Sequence, residues 1–365
     1  MKMMQEASPR VTTDSQPNEV ALEVRASKTS DDSARDEFVR AHSRGSFFHL
    51  RGWTRFVGNV HGHRQRDLLA WRGDKLVGVL PLMEGRGMDL RRQLISAPYA
   101  VYGGAIAEDR GSELALLDSA KELARSLGVG HLELRYRKDP EIELPGSDLY
   151  ATFIRDLPDE PGDILALMPK KARAEARKAR NRYGLELSRG VWYVDDLVRL
   201  FFQNKQALGS PALPHAHFRA ILEEFDEEHI FVHLVRRRGT PIAAVMSFAF
   251  EDTLIAYYAG TQPGADREFS ASNYMYMALQ EWGVEHGFKK FDFCRSRQGS
   301  GAFRFKEHQG FTAQSLNYRY FLVKRKNLPT FTPSNSRTAF LRKTWTKLPS
   351  WIARRASNVL SHYLS

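Results

Sequence analysis

The stretch Phe291 to Phe311, FDFCRSRQGSGAFRFKEHQGF, holds the densest set of side chains able to do chemistry. Asp292, Arg295, Arg297, Arg304 and Lys306 fall within fifteen residues, interleaved with Phe291, Phe293, Phe303 and Phe305. The phenylalanines can bury while the cations face a ligand, and Gly299-Ser300-Gly301 predicts a mobile loop inside the cluster. Lys306 is placed to neutralise a phosphate or carboxylate, or to stabilise charge building on an acyl oxygen. Asp292 is a candidate proton acceptor, with the alternative that it only orients Arg295. Upstream, Tyr257 and Tyr258 end another apolar strand, and Ser270, Ser272 or Asn273 is expected to cap a helix beginning near Ala271. A helix start beside a strand end is an anion site. Tyr257, Tyr258, Asn273, Arg295, Arg297 and Arg304 are therefore candidate substrate-binding residues.

A second cluster runs from Met168 to Arg182, MPKKARAEARKARNR, with seven Lys or Arg against the single acid Glu175. Ala172, Ala176, Ala179 and Tyr183 recur at helical spacing, leaving a wide cationic face. Pro169 is expected in the first turn and Gly184 closes the helix. The face is either a solvated surface or an anion-binding surface carrying Arg173, Arg177 and Lys178. The tail from Arg319 to Ser365 has ten Lys or Arg and no acid, with Trp345, Trp351, Ile352 and Leu360 in short amphipathic pieces. It is expected either to lie on an anionic membrane surface or to pack back on its own domain.

Other chemistries lack their residues. No G-x-G-x-x-G follows a strand, and neither G-x-x-x-x-G-K-[ST] nor G-x-S-x-G occurs. His61 and His63, and His215 and His217, stand two apart without supporting acids or cysteines, so they read as surface histidines and no metal is expected. The single cysteine, Cys294, excludes a disulfide framework and reads as a buried, inert thiol. The chain has 365 residues, 42% hydrophobic and 27% charged, enough for two globular domains. A net charge of +11 suggests an anionic partner. No apolar run is long enough to span a bilayer and the first residues carry no apolar signal segment, so a cytoplasmic protein is expected.

The order of elements repeats. Asp67–Trp71, a Gly73-Asp74 turn and Leu76–Met83 read as a hairpin, followed by a helix Ser112–Leu127, Gly128 and a strand His131–Tyr136. Ile230–Val235, an Arg238-Gly239 turn, Ile242–Phe250 and Leu254–Gly260 precede a helix Ala271–Glu285, Gly287 and a strand Phe291–Arg295. Gly73 and Gly239 are 166 residues apart, Gly128 and Gly287 159, and Arg135 and Arg295 160. The expectation is an α+β fold of two copies of one unit, each a mostly antiparallel sheet packed with helices, an order that an N-acetyltransferase-like (GNAT) unit shares. Residues 1–20 are expected to be disordered, 21–161 and 162–330 to form the domains, and 331–365 the basic tail.

FFHLRGW at 47–53, VGVLPL at 77–82, GGAIAE at 103–108, KKARAEARKARNRYGL at 170–185, LGSPALPHAHFRAILEEF at 208–225 and the 291–311 stretch resemble FemAB-related proteins of exosortase/PEP-CTERM systems. These sit within the FemABX and CelD-like acyltransferase group. The resemblance implies tandem GNAT-like domains and acyl or aminoacyl transfer to an amine of a peptidoglycan or exopolysaccharide precursor. By the same resemblance Lys306 is the lysine of a Phe-Lys-x-x-x-Gly-Phe element that stabilises substrate or intermediate, and Arg173 and Arg177 lie near substrate phosphates. Two features depart from the pattern: Cys294 replaces a glycine, and the long helical arm that some Fem enzymes use for tRNA has no counterpart.

No tightly bound cofactor is expected, and the donor is aminoacyl-tRNA or an acyl-coenzyme A. Arg267 to Ser272, REFSAS, lacks the glycines that let backbone approach a pyrophosphate, which disfavours coenzyme A. The expected partners are an anionic small-molecule or nucleotide- or lipid-linked substrate, tRNA, and an anionic inner-membrane surface met by the tail. A non-catalytic RNA- or membrane-binding module on the same fold is the competing reading.

Overall fold

The computed structural model describes residues 20–329 and 342–364. The expected disorder of residues 1–20 falls, apart from Val20, outside the described residues, as does the stretch 330–341 of the linker and tail.

The duplication is visible element by element. Strand Leu22–Ala26 is followed by helices Asp32–Ala41 and Arg51–His61 and the hairpin Leu68–Arg72/Lys75–Leu80. Strand Leu185–Arg189 is followed by helices Val194–Ala207 and His215–Glu224 and the hairpin Ile230–Arg237/Thr240–Phe250. Each half then has a helix, Arg110–Leu127 or Ala271–Glu285, that leads into a strand parallel to an earlier one. His131–Tyr136 runs parallel to Arg92–Ile95, and Lys290–Asp292 parallel to Thr253–Thr261. All other pairings are antiparallel. The molecule is therefore a pair of tandem GNAT-like units, each a mostly antiparallel sheet packed with helices.

The halves exchange strands. Asn317–Leu322, late in the chain, pairs with His131–Tyr136 of the first half over six residues. Ile154–Asp156 from the first half pairs with Lys290–Asp292 of the second. Each parallel pair is thus completed by a strand from the other unit, and separating the units breaks both ladders. A three-stranded patch of Ser296–Arg297, Tyr150–Thr152 and Gln314–Ser315 adds a further crossing.

Local chemistry sets the element ends. The strand expected over Leu76–Met83 divides into Lys75–Leu80 and Met83–Arg86, which join different sheets. Pro81 has no N–H for a ladder, and the Asp67 carboxylate accepts the Leu82 N–H at 2.7 Å. The strand expected to reach Arg295 stops at Asp292, because Cys294 adopts a left-handed φ of 57°. The basic helix spans Lys170–Asn181 with Pro169 at its N-cap rather than inside the first turn, and its alanine seam is buried against helix Ala271–Glu285. Gly299 takes a φ of 70° and Ser300 caps helix Gly301–His308 by accepting the Phe303 N–H, so the glycines expected to form a mobile loop instead start a helix.

The main core spans both halves. Phe47 stacks on Phe248 at 4.6 Å, and Phe48 and Trp53 pack on Tyr257. The histidine expectation is corrected here. His61, His63 and His217 are buried, because they face the seam between the halves and the docked tail. His61 Nε2 meets His217 Nδ1 at 2.8 Å, His217 Nε2 meets Tyr258 Oη at 2.8 Å, and His63 Nε2 approaches the His362 carbonyl. Helix Ser350–Leu360 docks through buried Ala353 and Ser357, whose Oγ accepts the Ala212 N–H, and Tyr99 Oη donates to the Ser361 carbonyl. Among the described residues no helix is long and apolar enough to cross a membrane.

Burial drives the buried histidines down, His217 and His233 to about 3 and His49 and His131 to about 4. The unfolded chain binds protons below about 6.5 that these imidazoles refuse when folded, so stability is lost as pH falls from about 6.5 toward 4. Urea unfolding should show this fall, with each histidine adding at most ~1.4 kcal/mol per pH unit. His217→Gln should flatten the slope by one proton; an unchanged slope would remove His217 from the account. Separately, a Cβ on Gly260 would stand 2.4 Å from the Phe201 backbone nitrogen of helix Val194–Ala207. Gly260→Ala should lose ~1–3 kcal/mol in the same unfolding measurement.

Candidate active site

The site is built around a buried stretch of irregular backbone, Ser96–Gly104, threaded between the halves. Buried carbonyls must find donors, and side chains of both halves supply them. Trp53 Nε1 donates to the Pro98 carbonyl at 2.9 Å, Arg135 Nη1 to Ala100 at 2.9 Å, and Tyr318 Oη to Val101 at 2.8 Å. Tyr257 Oη donates to the Tyr99 carbonyl. His49 Nε2 lies 2.9 Å from the Gly104 carbonyl, and the N–H groups of Gly103 and Gly104 donate to the Arg135 carbonyl. Ala97 and Tyr99 sit at left-handed φ values of 45° and 60°, held there by this set of bonds.

The segment carries Tyr102 to Asp292. Tyr102 Oη donates to Asp292 Oδ2 at 2.9 Å and shares a 2.5 Å hydrogen bond with Thr152 Oγ1. The Cys294 N–H donates to Asp292 Oδ1 at 2.7 Å. Asp292 makes no bond to Arg295, so the orienting role for that pair is not what the geometry shows. Burial raises the Asp292 carboxyl above the usual carboxylate range and raises the Tyr102 phenol well above its own. Tyr102 also lines a recess together with Arg44, Ser46, His49, Gly103, Gly104 and Arg137. Arg44 is paired with Glu113, while the Arg137 guanidinium lies 5.7 Å from the Tyr102 ring without an ion pair among the described residues.

Lys306 reaches the same strand end from helix Gly301–His308. Its Nζ donates to the carbonyls of Phe293, Cys294 and Arg295, at 2.5, 2.8 and 3.2 Å. All three of its protons are thus engaged by backbone that the left-handed turn at Cys294 presents. Burial pulls its ammonium down to about 8. The arrangement fixes the strand end that carries Asp292. Cys294 is buried and its thiol is pushed well up by burial, as expected for an inert residue.

The other candidates divide. Tyr257 and Arg295 join the junction, Arg295 through Nη1 to Tyr318 Oη at 3.1 Å. Tyr258 belongs instead to the buried histidine chain. Asn273 accepts a hydrogen bond from Gln309 at 2.6 Å. Arg297 is half-buried beside Tyr150 and Arg304 is exposed on its helix, and neither has a polar side-chain partner among the described residues. Arg173, Arg177 and Lys178 lie on helix Lys170–Asn181, with no hydrogen bond or ion pair to the junction. None of the expected caps holds the start of helix Ala271–Glu285 with its side chain. Ser270, at a left-handed φ of 54°, donates its hydroxyl to Glu175 at 2.5 Å, and Asp266 accepts the Ser272 N–H at 2.7 Å. One carboxylate of the chain itself, Asp266, thus caps the positive end of that helix, and Glu175 stands beside it on the Ser270 hydroxyl.

Tyr102, Thr152 and Arg137 were not legible as site residues in the sequence. The Tyr-Gly-Gly run at 102–104 was the available signal, but its meaning depends on a second-half aspartate far along the chain. Among the described residues no group of three or more His, Cys, Asp or Glu side chains could hold a metal ion.

Comparison with known proteins agrees with this architecture. Residues 168–307 match a family model described as an acetyltransferase (GNAT) domain. No curated protein matches the chain. The crystal structure of FemX superposes with a TM-score of 0.64 at 14% identity, over 83% of this chain and 98% of that one. A tandem GNAT protein from the clavulanic acid biosynthesis pathway gives 0.52 at 14% identity, over 84% and 100%. L-PGS from Bacillus licheniformis gives 0.52 at 12% identity, over 89% and 98%. At such identities the likeness is one of fold, and that fold is the tandem GNAT arrangement.

Proposed function

We propose that the protein is an acyl- or aminoacyltransferase that acylates an amine. The observation carrying this reading is Asp292, a carboxyl whose pKa is raised by burial and which accepts the hydroxyl of Tyr102, a residue that lines the recess together with Arg137. As the amine attacks the acyl carbon, the C–N bond forms and the bond to the donor's oxygen or sulfur breaks. The amine proton passes to Tyr102 Oη while the Tyr102 proton moves to Asp292, and the same relay in reverse then gives a proton to the departing oxygen or sulfur and restores the Asp292 carboxylate. Arg137 offers a cation beside the reacting carbonyl. Lys306 acts as a positioning residue, and its charge holds Asp292 lower than burial alone would.

Aminoacyl-tRNA is the donor we favour. Asp266 already takes an N–H at the helix start where a coenzyme A pyrophosphate would be expected, with Glu175 held beside it on the Ser270 hydroxyl, while Arg173, Arg177 and Lys178 have no acidic partner among the described residues. The 291–311 resemblance supports an acceptor in a cell-envelope or exopolysaccharide pathway of the exosortase/PEP-CTERM kind. The tail helix presents Trp351 and Val359 to solvent with Arg355 between them, which supports seating on an anionic membrane from the cytoplasmic side.

Thermal shift should rise with aminoacyl-tRNA more than with deacylated tRNA, and not with acetyl-coenzyme A. A shift with acetyl-coenzyme A alone would move the donor to an acyl-coenzyme A, and steep salt-dependent tRNA binding without any turnover would favour a binding module. In a transfer assay Asp292→Asn should slow turnover by ~10²–10⁴. Lys306→Met strands buried carbonyls and should cost ~1–3 kcal/mol. It should also move the acidic limb of the pH–rate profile upward, because Asp292 loses a neighbouring cation. A limb that stays in place in that variant would rule out Asp292 as the titrating group.

A further inference from the structure

A second cleft, of about 260 Å³, opens beside the exchanged strand Asn317–Leu322. Its walls include His131, Arg135, Tyr150, Arg295, Tyr318 and Tyr320, drawn from both halves. We propose that this cleft binds the oxyanion group, phosphate or carboxylate, of a ring-bearing ligand.

Three observations carry this. The first is an unbalanced cation. Arg295 has one hydrogen bond, to Tyr318 Oη, and no carboxylate in ion-pair range among the described residues. Its guanidinium lies 4.9 Å from the Tyr150 ring and 6.0 Å from the Tyr318 ring. Tyrosine rings flank the guanidinium, and its free N–H groups are left for a planar or tetrahedral anion. The acids that line the cleft are already engaged, Glu133 by Arg135 and Asp89 by Arg325.

The second is an orphaned imidazole. His131 is 1% exposed, and neither of its nitrogens has a hydrogen-bond partner among the described residues. A buried polar group left unpaired is costly. The neutral ring has one donor and one acceptor to offer, which suits a ligand oxygen or hydroxyl.

The third is a comparison inside the molecule. Arg135 stands 160 residues before Arg295, inside strand His131–Tyr136, whereas Arg295 lies just past the end of strand Lys290–Asp292. Arg135 donates to Glu133 and to two carbonyls of the threaded segment. The arginine carried by the first-half strand is thus closed on itself, and the one just past the second-half strand is open. Tyr150 and Tyr320 supply aromatic faces and hydroxyls suited to a ring that carries the anion, while the Tyr318 hydroxyl is already taken by the Val101 carbonyl and Arg295. Because binding is read without turnover, this inference stands or falls independently of the transfer reaction.

Calorimetric titration of the full chain at low salt with phenyl phosphate and with benzoate tests it. At least one probe should bind, and Arg295→Gln and His131→Phe should each weaken it at least tenfold. The ¹⁵N resonances of the His131 ring in the unaltered protein should move on titration, which a merely destabilised variant could not mimic. Tighter phenyl phosphate names phosphate as the recognised group and tighter benzoate names carboxylate; both uphold the site. Binding by neither probe overturns the proposal, as does a His131 ring that stays unmoved. Binding lost in Arg137→Gln but kept in Arg295→Gln also overturns it, because the anion would then sit in the other recess.

Discussion

Buried carbonyls of irregular backbone must find donors, and those of Ala97 to Val101 and of Gly104 in the Ser96–Gly104 segment find them with help from both halves. Trp53 and Arg135 come from the first half, Tyr257 and Tyr318 from beyond the duplication point. Removing either half would leave unpaired carbonyls in an apolar core. The tandem arrangement is therefore more than two units in sequence. The exchanged strands Ile154–Asp156 and Asn317–Leu322 impose the same condition on the sheets.

That constraint also creates the candidate chemistry. Threading the segment between the halves puts Tyr102 against Asp292 and leaves a cation-lined recess beside it. Burial then does what it does to any carboxyl, raising its pKa toward a useful range for a proton acceptor. Lys306 serves the same end by a different route: it spends its three protons on the carbonyls of the left-handed turn, and so holds Asp292 in register with Tyr102.

The two halves use the arginines at their parallel strands differently. Arg135 became part of the scaffold, with Glu133 and two carbonyls as partners, while Arg295 kept its N–H groups open to a cleft. The helices after the central strands diverged too. Asp109 caps helix Arg110–Leu127 in the ordinary way, whereas the start of Ala271–Glu285 meets Glu175 through Ser270.

Local patterns in the sequence were sufficient for most of the elements. The 3.6-residue alanine seam marked the basic helix, and alternation and glycine placement marked the hairpins, because these signals act over a few residues. The repeated order of those elements, with offsets near 160, was enough to read two copies of one unit. Residue type also singled out Asp292, Lys306 and Arg295. What they touch was beyond its reach. Lys306 looked free to meet a substrate and is taken up by backbone; Asp292 looked close to Arg295 and instead meets Tyr102 and Thr152. His61, His63 and His217 looked superficial and are buried, because the seam and the tail that cover them are formed by residues 150 to 300 positions away. Periodicity reports which face of an element is apolar. Only the tertiary structure decides which other element covers that face, and it is there that the partners, charges and proton affinities of the site are set.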